Sequence, residues 1–188
     1  GENLFSFQIA KMAVLAKRDF TLDVSARGGA KTFTTAVFAL IYAITHPGIK
    51  ILVLGPTLRQ AKTLLNYIMD ISKKPNAFLL RQFLTDKSYK RDPDRYSIKI
   101  GTGIFGPESE IFAMALGDGK KIRGARAQVI ILDEAFAIPQ NIIDEVIGPM
   151  MIVNANISER VETKKIEDKL VESGKMKDSE RRKFPNNK

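Results

Sequence analysis

The sequence predicts an α/β fold with a mainly parallel central sheet, and three observations support this prediction. Short apolar runs alternate with longer, helix-length runs along most of the chain, which is the pattern of sheets with helices on their faces. Residues 50–54 and 129–132 are almost entirely apolar, which is typical of parallel strands covered on both faces. Two polar motifs each come directly after a predicted strand, and parallel sheets bind ligands at the carboxyl ends of their strands.

The helices are predicted from apolar residues at helical spacing or from long glycine-free apolar runs. Thr57 is suited to cap the third helix, and Pro139 suits the first position of the last one, where its missing N–H is no loss. His46-Pro47-Gly48 ends the second. In chain order, the predicted helices cover residues 8–16, 31–45, 57–72, 76–84 and 139–147.

The strands are predicted from short apolar and β-branched runs that turn residues bound. In chain order they cover residues 20–24, 50–54, 96–100, 110–115 and 129–132, and the last has the most buried composition. Two basic segments, residues 86–95 and 117–126, are predicted to be loops because they combine cations with glycine or proline.

A chain of 188 residues, 44% of them hydrophobic, suits one domain with a sizeable core. Residues 1–154 are expected to form this core, and residues 155–188 a charged segment of the same domain, partly helical or disordered. The chain has no cysteine, which excludes disulfides and thiol catalysis. The apolar runs are far shorter than the roughly 20 residues of a spanning helix, so no membrane contact is expected.

The formal charge of +9 has two interpretations. Clustered cations are favourable next to a polyanion because bound phosphates release their counterions. A solvated basic surface gives the same balance without any partner. Lys87, Lys90, Arg91 and Arg95 fall in one predicted loop and are the best candidates for a polyanion-binding patch.

Residues 25–32 follow a predicted strand and open a predicted helix, as a phosphate-binding loop does. Lys31 would reach the β- and γ-phosphates of a nucleotide as a catalytic residue, and Thr32 would give Mg²⁺ a hydroxyl ligand. Two residues depart from the standard pattern, since Ser25 and Ala30 replace glycines; an alanine at positive φ would cost about 1 kcal/mol. The alternative is a glycine-rich turn that only opens a helix. The candidate nucleotide-binding residues are Ser25, Ala26, Arg27, Gly28, Gly29, Ala30, Lys31 and Thr32.

Asp133 and Glu134 come directly after the apolar strand at residues 129–132. In this position Asp133 would hold the Mg²⁺ shell, directly or through water. Glu134 would orient and deprotonate the attacking water as a catalytic base. Adjacent acids after a strand also occur as ordinary helix caps. Together with Lys31 and Thr32, in the expected order, they favour a catalytic ATP and Mg²⁺ site.

Several motifs together resemble the large terminase subunit of tailed bacteriophages, over residues 5–151. They include an arginine inside the phosphate loop and a basic segment ahead of the acidic pair. They also include a glutamine ahead of the loop, the second motif that terminases share with helicases, and two prolines after the acidic pair. The residues are Arg27, Lys121-Ile122-Arg123-Gly124, Gln8, residues 52–57, Ile138-Pro139 and Pro149.

This resemblance implies a three-layer P-loop NTPase of the additional-strand (ASCE) class that hydrolyses ATP with Mg²⁺. Such a domain would assemble as a homo-oligomeric ring on the portal protein and move double-stranded DNA into a viral procapsid. The small terminase subunit would be a further partner, and the host cell cytoplasm the place of action.

The resemblance also gives roles to single residues. Gln8 would contact the adenine, and Arg27 would sense the γ-phosphate. Arg123 would be the arginine finger that acts in the neighbouring subunit's site, with Arg126 as the alternative. A plain surface cation or a DNA contact is the competing interpretation of Arg123.

The sequence departs from the pattern of the terminase family in two ways, and these departures leave alternative functions open. The family's C-terminal nuclease has no counterpart here, and no apolar strand ending in Ser or Thr follows residue 152. The chain is therefore expected to stop before the last strand or strands of its domain and to be weakly active or inactive alone. A helicase-like or other nucleic-acid remodelling ATPase and a non-hydrolysing nucleotide-binding assembly module are the alternative functions.

Overall fold

A five-stranded sheet with the order β2-β3-β4-β1-β5 forms the centre of the molecule. The computed structural model describes residues 4–25, 28–84, 88–101, 107–117, 119–152 and 157–178. β1 pairs in parallel with both β4 and β5, whereas β3 runs antiparallel to β2 and β4. The strands are β1 (Lys50–Gly55), β2 (Tyr89–Arg91), β3 (Arg95–Ile100), β4 (Ser109–Ala115) and β5 (Val129–Leu132). The predicted α/β fold with a mostly parallel sheet is confirmed.

Helices cover both faces of this sheet. Thr57 caps α3 as predicted, because its hydroxyl accepts from the backbone N–H of Gln60 at 3.3 Å. After β5 the chain forms a short 3₁₀ turn and then a continuous helical stretch with a π-helical middle. The helices are α1 (Ser6–Lys17), α2 (Lys31–Thr45), α3 (Leu58–Lys73), α4 (Phe78–Phe83), α5 (Gln140–Ile142) with the π turn Ile143–Ile147, α6 (Gly148–Ile152) and α7 (Ile157–Glu172).

Two apolar cores lie on opposite faces of β1, so the fold has three layers with the sheet in the middle. Ile51 and Val53 point into a core with α2 and α3, whereas Leu52 and Leu54 point into a core with the 122–150 region. All four side chains are completely buried. Each is worth roughly 1.5–3 kcal/mol of burial free energy, so β1 anchors the elements on both faces.

The predicted strand at residues 20–24 is wrong. The segment is extended but pairs with no described strand, and Phe20, Leu22 and Val24 are 80%, 69% and 85% exposed. The composition was that of a strand, but a strand also needs a hydrogen-bonding neighbour, and the described sheet ends at β5.

The predicted loop at residues 86–95 is also wrong in part. The segment contains β2 and the first residue of β3, joined by a turn in which the Asp92 N–H donates to the Arg95 carbonyl at 2.8 Å. β2 is an edge strand, and edge strands often carry charged residues, so its polar, basic composition indicated a loop. Residues 85–87 lie outside the described part of the chain.

β5 is less buried than its composition indicated. Only Val129 is buried, while Ile130, Ile131 and Leu132 are half-buried, because β5 pairs on one side with β1 and lies at the sheet edge. The predicted division of the chain at residue 154 stays a prediction, since residues 153–156 are among those not described. Within the described residues, no helix is both long and apolar enough to cross a membrane.

Candidate functional site

The two predicted motifs lie at the same end of the sheet. Asp133 follows β5 directly, and its backbone N–H donates to the Leu54 carbonyl at 2.8 Å, which holds it beside the carboxyl end of β1. Burial and the nearby Glu134 raise the pKa of Asp133, whereas the positive charge of Lys31 lowers it. This effect requires the Lys31 ammonium to be near the Asp133 carboxyl. The structure therefore places Lys31 near the Asp133 carboxyl, and Glu134 directly follows Asp133 in the chain.

The described part of the phosphate loop has the backbone that such a loop needs. Gly28 has a φ of 84° and Ala30 a φ of 49°, so Ala30 adopts the left-handed conformation that costs an alanine about 1 kcal/mol. α2 begins directly afterwards with Lys31 and Thr32, whose first-turn N–H groups have no partner within the helix. The Lys31 ammonium donates to the Ser25 carbonyl at 2.5 Å, across the mouth of the loop. Ala26 and Arg27 lie outside the described residues, so their predicted roles stay predictions.

α1 contacts the loop at its first residue. Lys11 forms an ion pair with the Asp23 carboxylate, whose other oxygen accepts from the Ser25 hydroxyl at 3.0 Å. Burial opposes the charge of Asp23, but the hydrogen bonds from Lys11 and Ser25, with the charges of Lys11 and Lys31, together lower its pKa. Sequence reasoning missed this pair. Asp23 lies two residues before Ser25, a spacing typical of local side-chain bonds, but nothing in the sequence links Lys11 to it.

α1 also contacts the other end of the loop, through Gln8. The Gln8 amide is buried, 3% exposed, and donates to the Thr34 hydroxyl at 3.1 Å. The Thr34 hydroxyl in turn donates to the Ala30 carbonyl at 2.9 Å, and the Gln8 carbonyl oxygen accepts from the Phe5 N–H at 2.9 Å. Gln8 thus positions the end of the loop, and an adenine contact by Gln8 stays a prediction.

Glu134 adopts a strained backbone conformation, with a φ of 54° in the left-handed region. A non-glycine residue there costs about 1–2 kcal/mol, and such strain concentrates at functional sites. Its side chain is exposed, while its N–H donates to the Asp133 carboxylate at 3.2 Å. The exposed Glu134 side chain is accessible to a water molecule.

The raised pKa of Asp133 predicts that its charge destabilises the folded protein at neutral pH. An acid whose folded pKa exceeds its unfolded value binds more protons when folded, so stability falls as pH rises from the ordinary value near 3.8 through the raised one. We expect Asp133→Asn to increase the free energy of unfolding at pH 7, by about 0.5 kcal/mol after solvent screening. Urea unfolding at pH 7 and pH 4 measures this, with the exposed carboxylate Asp70→Asn on α3 as control. An equal gain at both pH values would contradict the assignment.

The donor set at this site fits a magnesium-bound triphosphate. Asp133 supplies an oxygen whose burial and acidic neighbour make a cation favourable, and Thr32 supplies a hydroxyl directly after Lys31 in the first turn of α2. No group of three His, Cys, Asp or Glu side chains able to hold a metal occurs within the described ranges. Mg²⁺ does not need one, since it commonly takes one or two protein oxygens and completes its shell with water and substrate phosphates.

Arg123 and Arg126 lie in the loop before β5, and both are exposed. The buried side chains of Ile122 and Ala127 anchor this loop in the second core. Lys121 forms an ion pair with Asp94 at 2.5 Å, whereas neither arginine has an ion pair to a described carboxylate. Both arginines are therefore available to another molecule, and the choice between them stays open.

The fold is that of large terminase ATPase domains. The Thermus phage P74-26 domain superimposes with a TM-score of 0.52 and 21% identity over 66% of this chain and 51% of that one. The large terminase of a second, thermophilic bacteriophage, in complex with ADP, gives 0.55 and 11%, over 79% and 36%. Its complex with ATP-γ-S gives 0.53 and 12%, over 80% and 35%. No family model and no curated protein matches the sequence. The chain spans about half of the first of these structures and about a third of the others.

Proposed function

We propose that this chain is the nucleotide-binding part of a terminase motor that hydrolyses ATP to move double-stranded DNA into a viral procapsid. The observation that carries the proposal is the proximity of Lys31 to Asp133 and Glu134 at the carboxyl ends of β1 and β5. The likeness of the fold to terminase ATPase domains supports the choice of motor. In this proposal the chain acts in the host cell cytoplasm, as a ring on the portal protein and with the small terminase subunit.

Each residue of the site has a role in this proposal. Lys31 and the backbone N–H groups of residues 25–32 bind the β- and γ-phosphates. Thr32 and Asp133 hold Mg²⁺, which neutralises phosphate charge when bound. Glu134 orients the attacking water and accepts its proton. Gln8 is proposed as the adenine contact and Arg27 as the γ-phosphate sensor.

The open edge of the sheet favours a second candidate, a nucleotide-binding assembly module that does not turn over. Residues 20–24, which lead into the phosphate loop, pair with no described strand and are largely exposed. The loop therefore has no sheet neighbour on that side among the described residues. The loop is held instead by α1, through Asp23 and Thr34. A loop held only in this way would bind nucleotide with little turnover.

Arg123 provides the test that separates a ring motor from both alternatives. A finger that acts between subunits is worth 10³–10⁵ in rate, so Arg123→Ala is expected to lower kcat about a thousandfold. Mixing Arg123→Ala with Glu134→Gln should restore part of the activity, because an interface between the two variants contains one complete site. ATP hydrolysis with duplex DNA, over a range of protein concentration, measures both effects.

Arg126→Ala is the matched control, since it removes an exposed arginine from the same loop. If the mixture stays as inactive as its two components while wild-type turnover is linear in protein concentration, no finger acts between subunits. If activity is instead restored when Arg126→Ala, and not Arg123→Ala, is mixed with Glu134→Gln, Arg126 would be the arginine finger.

A further inference from the structure

A cavity of about 940 Å³ lies at the edge of the sheet opposite the phosphate loop. α3, α4 and β2 form its walls, and β2 is the edge strand farthest from β5. Four strand spacings separate β2 from β5, which is about 19 Å at the usual 4.8 Å per strand. The cavity is therefore separate from the ATP site.

Three cations line this cavity, each from a different element. Lys73 is in the last turn of α3, Arg81 is in α4, and Arg91 is in β2. The Arg81 guanidinium donates to the Pro75 carbonyl at 3.2 Å, and the Arg91 guanidinium lies 5.4 Å from the centre of the Tyr96 ring. These contacts orient the two guanidinium groups without neutralising them.

Among the described residues, no carboxylate lines the cavity and none of the three cations forms an ion pair. Neighbouring cations differ in this respect. Arg95 pairs with Glu110 at 2.7 Å and lies 4.1 Å from the Phe112 ring centre, while Lys90 pairs with Asp92 at 3.4 Å. The four cations of the predicted basic patch therefore do not act as one group. Arg95 and Lys90 are compensated, Lys87 lies outside the described residues, and Arg91 joins two cations that are remote in sequence.

The floor of the cavity is apolar and aromatic. Met69, Leu84 and Tyr89 form it, and the Tyr89 hydroxyl shares a hydrogen bond with the Ser72 hydroxyl at 3.0 Å. This bond holds the ring in the cavity, whose charged lining residues, among those described, are all cations. A ligand suited to the cavity carries several anionic groups for these cations and some flat or apolar surface for Met69, Leu84 and Tyr89.

We propose that this cavity binds the backbone phosphates of a nucleic acid strand, with Lys73, Arg81 and Arg91 as the phosphate contacts. All three side chains are exposed and come from three different elements, so they present separate charges at an open surface rather than an enclosure. Separate exposed cations suit a polyanion with repeated charges better than a single small ion, which needs donors on several sides. The choice of double-stranded DNA as probe rests on the proposed function, because a motor must hold what it moves.

Replacing Lys73, Arg81 and Arg91 together with alanine is expected to weaken binding of a fluorescent DNA duplex by about tenfold or more. Each lost phosphate contact should also reduce the slope of log Kd against log salt by about 0.9, or by two to three for the triple variant. The control is a triple alanine variant of Lys17, Lys50 and Lys99, exposed cations elsewhere that give the same charge change. Arg81→Lys with Arg91→Lys, which keeps the charges, should bind nearly as wild type does.

Equal losses in the two triple variants, or an unchanged salt slope in the cavity variant, would overturn the proposal. So would a cavity variant that loses binding of inorganic phosphate but keeps DNA, since the cavity would then take a free anion. Far-ultraviolet circular dichroism and ATP affinity report whether each variant is folded. A wild-type chain that binds DNA but no ATP would contradict the proposed function and leave this site unaffected.

Discussion

Lys31→Ala is expected to weaken ATP binding about a hundredfold. The Lys31 ammonium already lies across the mouth of the loop, bound to the Ser25 carbonyl, and phosphate oxygens would replace that carbonyl as its acceptor. A hydrogen bond between charged groups contributes about 1.5–3 kcal/mol, and every 1.4 kcal/mol is a factor of ten in Kd. Titration of a fluorescent ATP analogue, competed by unlabelled nucleotides, measures the change.

The dependence on phosphate number makes this prediction specific. Because Lys31 would contact the β- and γ-phosphates, its removal should affect ATP strongly and AMP hardly at all. Lys17→Ala, an exposed lysine at the end of α1, is the matched control. ATP affinity that is indifferent to Lys31, or an equal loss for AMP, would show that residues 25–32 are only a turn into a helix.

Glu134→Gln is expected to lower the rate of ATP hydrolysis by 10²–10⁴ while ATP affinity changes less than about twofold, the range for loss of a general base. The glutamine has the same shape but cannot accept the proton of the attacking water. The strained φ of 54° at this position is a property of the backbone turn and should persist in the variant. Single-turnover hydrolysis and equilibrium binding, measured on the same preparation, separate the two effects.

Glu145→Gln removes another exposed carboxylate on the helical stretch after β5, and its turnover should match wild type. A Glu134→Gln variant that hydrolyses ATP normally would place the base elsewhere. Parallel losses of binding and turnover would instead make Glu134 a ligand of the bound nucleotide.

Local signals in the sequence predicted most of the elements correctly. The apolar run of β1 matched a strand buried on both faces, and Thr57, predicted as a cap from its residue type, does cap α3 through Gln60, only three residues away. The loop pattern marked Ala30 as a residue that replaces a glycine, and its φ of 49° is in the region that glycine favours. These features depend on neighbours in the chain, which the sequence shows directly.

The misses concern contacts between residues far apart in sequence. Residues 20–24 have strand composition, but whether they pair depends on which strand lies beside them. Lys11 and Asp23 are a plain lysine and aspartate until α1 brings them together at the loop. Arg95 was placed in a basic patch, yet Glu110 on the neighbouring strand neutralises it. Sequence spacing predicts such long-range pairings poorly. The reactive residues of the site were therefore predicted more fully than the contacts from other elements that hold them in place.

The central claim is that Thr32 and Asp133 hold one Mg²⁺ ion on one triphosphate, and a double-mutant cycle on Mg²⁺-dependent ATP affinity tests it most directly. If both residues serve the same ion, Thr32→Ala and Asp133→Asn should be non-additive, with an interaction energy of about 1 kcal/mol or more. The double variant should then be little worse than Asp133→Asn. Losses that add to within about 0.5 kcal/mol would mean that the two residues act independently and that no shared metal joins the loop to β5.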